Sequence, residues 1–315
     1  MAQNSSRFRA SPLGQTKLRR QDVEAPTWAL LTAAYAGWMA LTWFWADLPL
    51  LLILPALAYL TSLHASLQHE ALHGHPTRSA LANEALVFPA LNPLFPYRRF
   101  RTLHLRHHND EKLTDPYDDP ESYYLAEGDW ARLSAPLRLV LEFNNTLIGR
   151  LTVGPAVLAV GFLAGEARRI AAGDRQIRLA WLLHGAGLAI VLVWLVAAAK
   201  MPVWLYLAGV AYPALSLQLL RTFAEHQASE EVGKRSVIVE ASPVLALLFL
   251  NNNLHFVHHS HPRTPWYRLP AVYRAGRKAF RQGNGGYVFP GYAALFRRFA
   301  LRQRDTVAHP FLRRG

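Results

Sequence analysis

The chain of 315 residues contains no cysteine. That excludes disulfides, thiolate zinc sites and cysteine-ligated iron–sulfur clusters. Acidic residues are few beside basic ones, 21 against 34, which leaves a formal charge of +13. Lysine is scarce beside arginine, a bias expected of a GC-rich bacterial coding sequence. Internal repeats and low-complexity segments are also missing. What is abundant is apolar bulk: 51% of residues are hydrophobic and nine are tryptophan. Apolar bulk combined with basic excess predicts a membrane protein, with no nucleic-acid partner.

Four apolar stretches approach the roughly 20 residues that cross a bilayer as helix: Thr27 to Trp45, Leu48 to Leu67, Leu179 to Ala199 and Val203 to Leu220. They form two close pairs, turning at Ala46-Asp47-Leu48-Pro49 and at Lys200-Met201-Pro202. Such short turns force antiparallel neighbours. Among all the lysines and arginines only Lys200 falls in either turn, so by the positive-inside rule both turns face outward. The N-terminal tail with Arg7, Arg9, Lys17, Arg19 and Arg20, the segment between the pairs and the C-terminal portion are then cytoplasmic. A weaker run, Leu147 to Gly165, contains Arg150, Gly154 and Pro155 and reads as interfacial or re-entrant. The expected architecture is all-α and integral to the membrane: four transmembrane helices in two hairpins, with a cytoplasmic helical cap holding a histidine-rich dimetal site. Residues 1–26 are read as a cytoplasmic tail, 27–270 as the membrane domain and 271–315 as a basic cytoplasmic segment.

Chemistry is concentrated in three histidine boxes: His69-Glu70-Ala71-Leu72-His73, His104-Leu105-Arg106-His107-His108 and His255-Phe256-Val257-His258-His259. Each sets imidazoles at i, i+3 or i+4, so that on a helix they leave from one face. Random placement of 14 histidines gives an HxxHH string with odds of about 0.03. The inward topology brings the three boxes to one side, together with His226 at the emergence of the fourth helix. Nine imidazoles result, enough for two metals with four or five nitrogen ligands each. Imidazole suits iron, copper, nickel and zinc alike. A zinc-protease reading of the first box, with Glu70 as general base, leaves both HxxHH strings without a task. A non-catalytic metal binder or transporter would line a path with intramembrane histidines, yet only His184 lies well inside a helix.

Other polar groups receive plainer readings. His64 and His75 flank the first box without joining its face, His184 reads as an interhelical hydrogen-bonded residue, and His261 and His309 as surface or outer-layer groups. Glu70, Asp110 and Glu225 adjoin ligands and are placed to orient imidazole N–H groups. Asp115, Asp118, Asp119 and Glu121 read as a solvated acidic loop.

In the order and spacing of its boxes, its hairpin topology and the flanking strings Leu113-Thr114-Asp115-Pro116 and Asn251-Asn252-Asn253-Leu254, the chain resembles the membrane fatty acid desaturase and hydroxylase superfamily over residues 27 to 270. The resemblance implies that His69, His73, His104, His107, His108, His226, His255, His258 and His259 bind two irons. It also implies an O2-dependent oxidation of an unactivated C–H bond in a long hydrophobic substrate, first of all desaturation of an acyl lipid. Hydroxylases or ketolases of lipids, alkanes and carotenoids share the plan and are the alternative. Reduction of O2 needs electrons from outside, so a ferredoxin or cytochrome b5-like donor with its reductase is expected. An acidic donor of that kind would meet Arg98, Arg99, Arg101 and Arg106, or Arg274, Arg277, Lys278 and Arg281; anionic lipid headgroups are the other use for these cations. The expected location is a bacterial inner membrane, with termini and active site cytoplasmic. Reporter fusions after Ala46 and after Lys200 are expected to read as external and a fusion after Arg168 as internal; an external signal at Arg168 would mean that Leu147 to Gly165 crosses.

Overall fold

A computed structural model of the protein describes residues 24–312. The basic N-terminal tail lies outside the described residues. The chain opens with an antiparallel pair, α1 (Ala25–Trp43) and α2 (Leu50–Leu72), where Pro49 presets the entry to the second helix. The short α3 (Ala80–Leu86) is capped by the Ser79 hydroxyl, and α4 (Tyr97–His107) follows Pro96. Three short helices come next: α5 (Glu127–Arg132), α6 (Ala135–Asn144) and α7 (Leu147–Thr152). Then α8 (Gly154–Ala171) starts at Gly154-Pro155, which breaks the Leu147 to Gly165 run into two helices. The second hairpin begins with α9 (Arg175–Val193), capped by Asp174 and continued as a π-helical turn to Ala198. Its partner runs from α10 (Val203–Tyr206) through a π turn at Leu207–Ala211 into α11 (Tyr212–Glu225). Pro213 explains that turn, because proline lacks an N–H and clashes with the carbonyl one turn back, so the ladder widens to pass it. The remainder comprises β1 (Ile238–Val239), α12 (Pro243–Leu248), α13 (His255–Ser260), α14 (Leu269–Gly283), β2 (Val288–Phe289) and α15 (Tyr292–Phe299), with β1 and β2 paired in parallel.

Three helical stretches among the described residues are long and apolar enough to cross a membrane: Leu50–Leu72, Arg175–Ala198 and Val203–Glu225. The first expected span forms α1 but is not among them. Its four tryptophan and tyrosine rings and its threonines dilute an otherwise apolar stretch. Those same rings tie the hairpins together. Trp38 Nε1 donates to Tyr206 Oη at 3.1 Å, and Tyr206 donates to the Leu91 carbonyl at 2.7 Å. Trp194 Nε1 donates to Thr42 Oγ1 at 2.9 Å. In an apolar surrounding each such bond satisfies a group that would otherwise be costly to bury.

Helix α4, which carries the second box, is set by a buried ion pair. Both nitrogens of the Arg99 fork reach Glu166 of α8, at 2.9 Å and 3.0 Å, and Trp181 Nε1 of α9 donates to the same carboxylate at 3.0 Å. Arg99 is therefore a buried strut and not part of a docking surface, a correction to the basic patch read from the sequence. The segment after residue 270 adds to the core, since Phe289, Tyr292, Leu295 and Phe299 pack with Leu67, Phe223 and Phe249. Replacing Glu166 by leucine strands the Arg99 charge and is expected to cost about 3–5 kcal/mol. The double variant Arg99→Met, Glu166→Leu should recover most of it. Thermal unfolding of the detergent-solubilised protein checks both; equal loss in single and double variants would show that the pair contributes nothing by its charge.

Candidate metal centre

Four elements deliver imidazoles to one place. The last turn of α2 supplies His69, with His73 as its cap residue; α4 supplies His104 and His107, with His108 as its cap. His226 caps α11, and α13 supplies His255, His258 and His259. The i, i+3 and i+4 spacing works as the helical geometry requires, so that each box points its rings inward.

The nine side chains sort into two groups. His69, His73, His104, His108 and His258 form one; His107, His226, His255 and His259 form the other, with donor atoms in each group within 4.8 Å of one another. Nε2 atoms face each other at 2.9 Å for His69 and His104, 3.0 Å for His104 and His108, and 3.1 Å for His108 and His258. In the second group the separations are 2.9 Å for His107 and His226, 2.9 Å for His226 and His255, and 3.1 Å for His255 and His259. His73 Nε2 is buried with no hydrogen-bond partner. The groups are adjacent, as the stacked rings of His108 and His259 lie 4.3 Å apart.

The outer ring nitrogens explain why this set fits metal. His104 Nδ1 donates to Glu121 at 2.9 Å, His107 Nδ1 to Asp119 at 2.7 Å and His259 Nδ1 to Asp110 at 2.8 Å. His255 Nδ1 faces Asn252 Oδ1 at 3.0 Å, and His226 Nδ1 faces Ser236 Oγ at 3.1 Å. A carboxylate only accepts, so it holds the proton on Nδ1 and leaves the Nε2 lone pair pointing into the group. Lone pairs about 3 Å apart repel unless a cation lies among them. Burial first, then neighbouring imidazoles, hold His226 and His255 far below the usual histidine range, so both are neutral donors. His107 departs from this pattern. Burial opposes its protonation, yet Glu121 and Asp119 outweigh burial and push its pKa up to about 9. Burial would raise Glu121 in turn, but His104 and His107 hold it well below the ordinary carboxylate range.

Several sequence readings need correction here. Asp119 and Glu121 are imidazole partners, not members of a solvated run; Asp119 is itself fixed by the amides of Thr114 and Glu121 at 2.8 Å and 2.9 Å. Glu70 accepts from the Trp266 amide at 3.2 Å and orients no imidazole. Glu225 pairs with Arg221 at 3.1 Å and reaches His255 Nδ1 only at 3.4 Å. His309 is buried, and its Nε2 lies 3.2 Å from Thr114 Oγ1. His64 and His75 stay outside both groups, the former bonded to Tyr35 Oη at 2.9 Å and the latter to Glu24 at 2.6 Å. His184 is hydrogen-bonded, but to a loop and not to a helix: its Nε2 lies 2.8 Å from the carbonyl of Pro93, between α3 and α4. Ser236 and Asn252 were not singled out as imidazole partners, although Asn252 stands in the string before the third box.

Beside the second group lies a cavity of about 590 Å³, within the usual range for a small-ligand pocket. His107 and His226 form part of its wall, and Phe95, Leu158, Phe162 and Leu215 line its apolar reach. Fold and site together define a helical membrane protein with two imidazole clusters next to an apolar pocket. The family model described as fatty acid desaturase matches residues 43–291, and the chain belongs to that family. No curated protein matches the chain.

Asp119→Ala is expected to weaken metal retention about 10–100-fold, and Asp119→Asn less, because an amide oxygen still accepts from Nδ1. Metal content after graded chelator competition checks this, with His261→Ala, outside both groups, as the control. Equal retention in all three variants would remove the orienting role.

Proposed function

We propose that the protein is an O2-dependent di-iron oxidoreductase acting on C–H bonds of a long-chain lipid, with desaturation of an acyl lipid as the first reading. The observation that carries it is two adjacent imidazole groups, five and four strong, the second of them at the wall of an apolar cavity, in a chain of the desaturase family. The nine histidines would hold the two irons, His69, His73, His104, His108 and His258 one of them and His107, His226, His255 and His259 the other. An iron pair supplies the redox capacity to activate O2, which protein side chains lack.

The protein's own groups do the rest. Asp110, Asp119 and Glu121 keep three imidazoles in the donor tautomer and orientation. Phe95, Leu158 and Phe162 exclude water from a bound methylene chain, whose burial contributes about 0.8 kcal/mol per CH2. Desaturation takes two electrons from the substrate, while reducing O2 to two waters takes four with four protons. Two further electrons must therefore come from a separate donor, a ferredoxin or cytochrome b5-like protein with its reductase, and the two further protons from solvent. Exposed Arg101 and Arg106 of α4 and Arg274, Lys278 and Arg281 of α14 would favour an acidic one. The same reading makes α1 a fourth crossing and puts termini and centre on the cytoplasmic side.

Hydroxylation is the second reading, because the same centre and cavity would serve it. Expression with a ferredoxin and reductase, followed by lipid mass spectrometry, separates them: loss of two hydrogens marks desaturation and gain of one oxygen marks hydroxylation. His107→Ala is expected to abolish turnover while the membrane helices still form. A protein that takes up zinc and no iron in anaerobic, iron-replete preparation, or that alters no lipid with iron and electrons supplied, would overturn the assignment.

A further inference from the structure

One end of the cavity carries a charge without a counter-ion. Arg150 of α7 lines the cavity yet is only 6% exposed. Its Nε donates to the Asn144 carbonyl at 3.1 Å, and among the described residues no carboxylate forms an ion pair with it. A Cβ on Gly154 would come within 3.2 Å of the Arg150 stem, so glycine there leaves the side chain its room. Arg304 shares the surroundings. The two guanidinium carbons lie 4.9 Å and 5.0 Å from the centre of the Tyr123 ring, and 6.0 Å and 5.8 Å from that of Phe223. Arg304 donates to Tyr287 Oη at 3.0 Å, while its Nε and second amino group are buried without partners. The adjoining Asp305 is engaged by Tyr124 Oη and by the Thr306 amide.

Ring faces return part of the hydration a guanidinium loses. They do not neutralise it. Asp305 offsets part of the Arg304 charge, whereas the Arg150 charge, buried beside it with no carboxylate of its own, remains costly until an anion joins it. The geometry points to Arg150 as the receptor for the anionic end of an amphiphilic substrate, a carboxylate or a phosphate, with Arg304 adding its charge from behind the same rings. The same cavity is lined by Val157, Leu158 and Phe162, which would take the chain, and by His107 and His226 of the candidate centre. Tyr123 Oη donates to the His226 carbonyl at 2.6 Å, so the ring beneath Arg150 is tied to that centre. This anion site deepens the lipid-oxidation reading and rests on it for the substrate's chain.

Binding is the test, measured apart from turnover on purified, iron-loaded protein. Hexadecanoate, dihexadecanoyl phosphatidate and hexadecan-1-ol are titrated at a pH where both acids are ionised. At least one anion is expected to bind about tenfold or more tightly than the alcohol. Preference for hexadecanoate identifies a free acid, and preference for phosphatidate a phospholipid headgroup. Arg150→Gln should bring the anion down to the level of the alcohol, with alcohol binding and iron content unchanged, and Arg150→Lys should keep part of the preference. Wild-type protein that binds the alcohol as tightly as both anions overturns the inference, whatever the variants do. So does an iron-loaded Arg150→Gln variant that keeps the full preference. If the preference stands but no lipid is oxidised, the oxidase reading fails alone.

Discussion

A repulsion lies at the centre of this fold. Nitrogen lone pairs are packed 2.9–3.1 Å apart in two buried groups, and the outer nitrogens of His104, His107 and His259 are already committed to carboxylates. Those three rings are held with Nε2 facing the group. Positive charge among the rings reconciles the arrangement, and without it His107 becomes the group that most readily takes up a proton. Membrane helices α2 and α11 and the extra helices α4 and α13 meet at a point where protein atoms alone repel.

The rest of the scaffold holds those four elements against that repulsion. The tryptophan and tyrosine bonds tie α1 to α10 and to the turn that ends α9, and Gln218 Nε2 of α11 reaches the Ser62 carbonyl of α2 at 2.7 Å. Arg99 and Glu166 anchor α4 through α8. Asp110, Asp119 and Glu121 fall between α4 and α5, so one loop grips an imidazole from the third box as well as two from the second. The geometry of both imidazole groups thus depends on a loop whose own position has to be secured.

How much of this was legible follows from the range of each interaction. The boxes were legible because helical periodicity is local: i, i+3 and i+4 suffice to aim His255, His258 and His259 together. His226 was legible from its place at the end of an apolar run. In α1 the rings and threonines serve interhelical bonds at the expense of hydropathy, so the helix falls short of the other three apolar stretches. Asp119 and Glu121 looked like solvent-facing acids because a loop carries no period to say which way it folds back. Arg99 with Glu166, and His309 with Thr114, join residues far apart in sequence, and the burial of a lone polar side chain leaves no local mark.

The loop that carries Asp110, Asp119 and Glu121 is closed by the last described part of the chain. The Arg304 amide donates to the Asn145 carbonyl at 3.0 Å, the His309 amide to the Leu125 carbonyl at 2.8 Å, and His309 meets Thr114 within the loop. These residues follow every histidine box and every membrane helix in chain order. The loop that orients three imidazoles is thus fastened by contacts of very long sequence separation, and such contacts cost the most chain entropy to close and form late in folding.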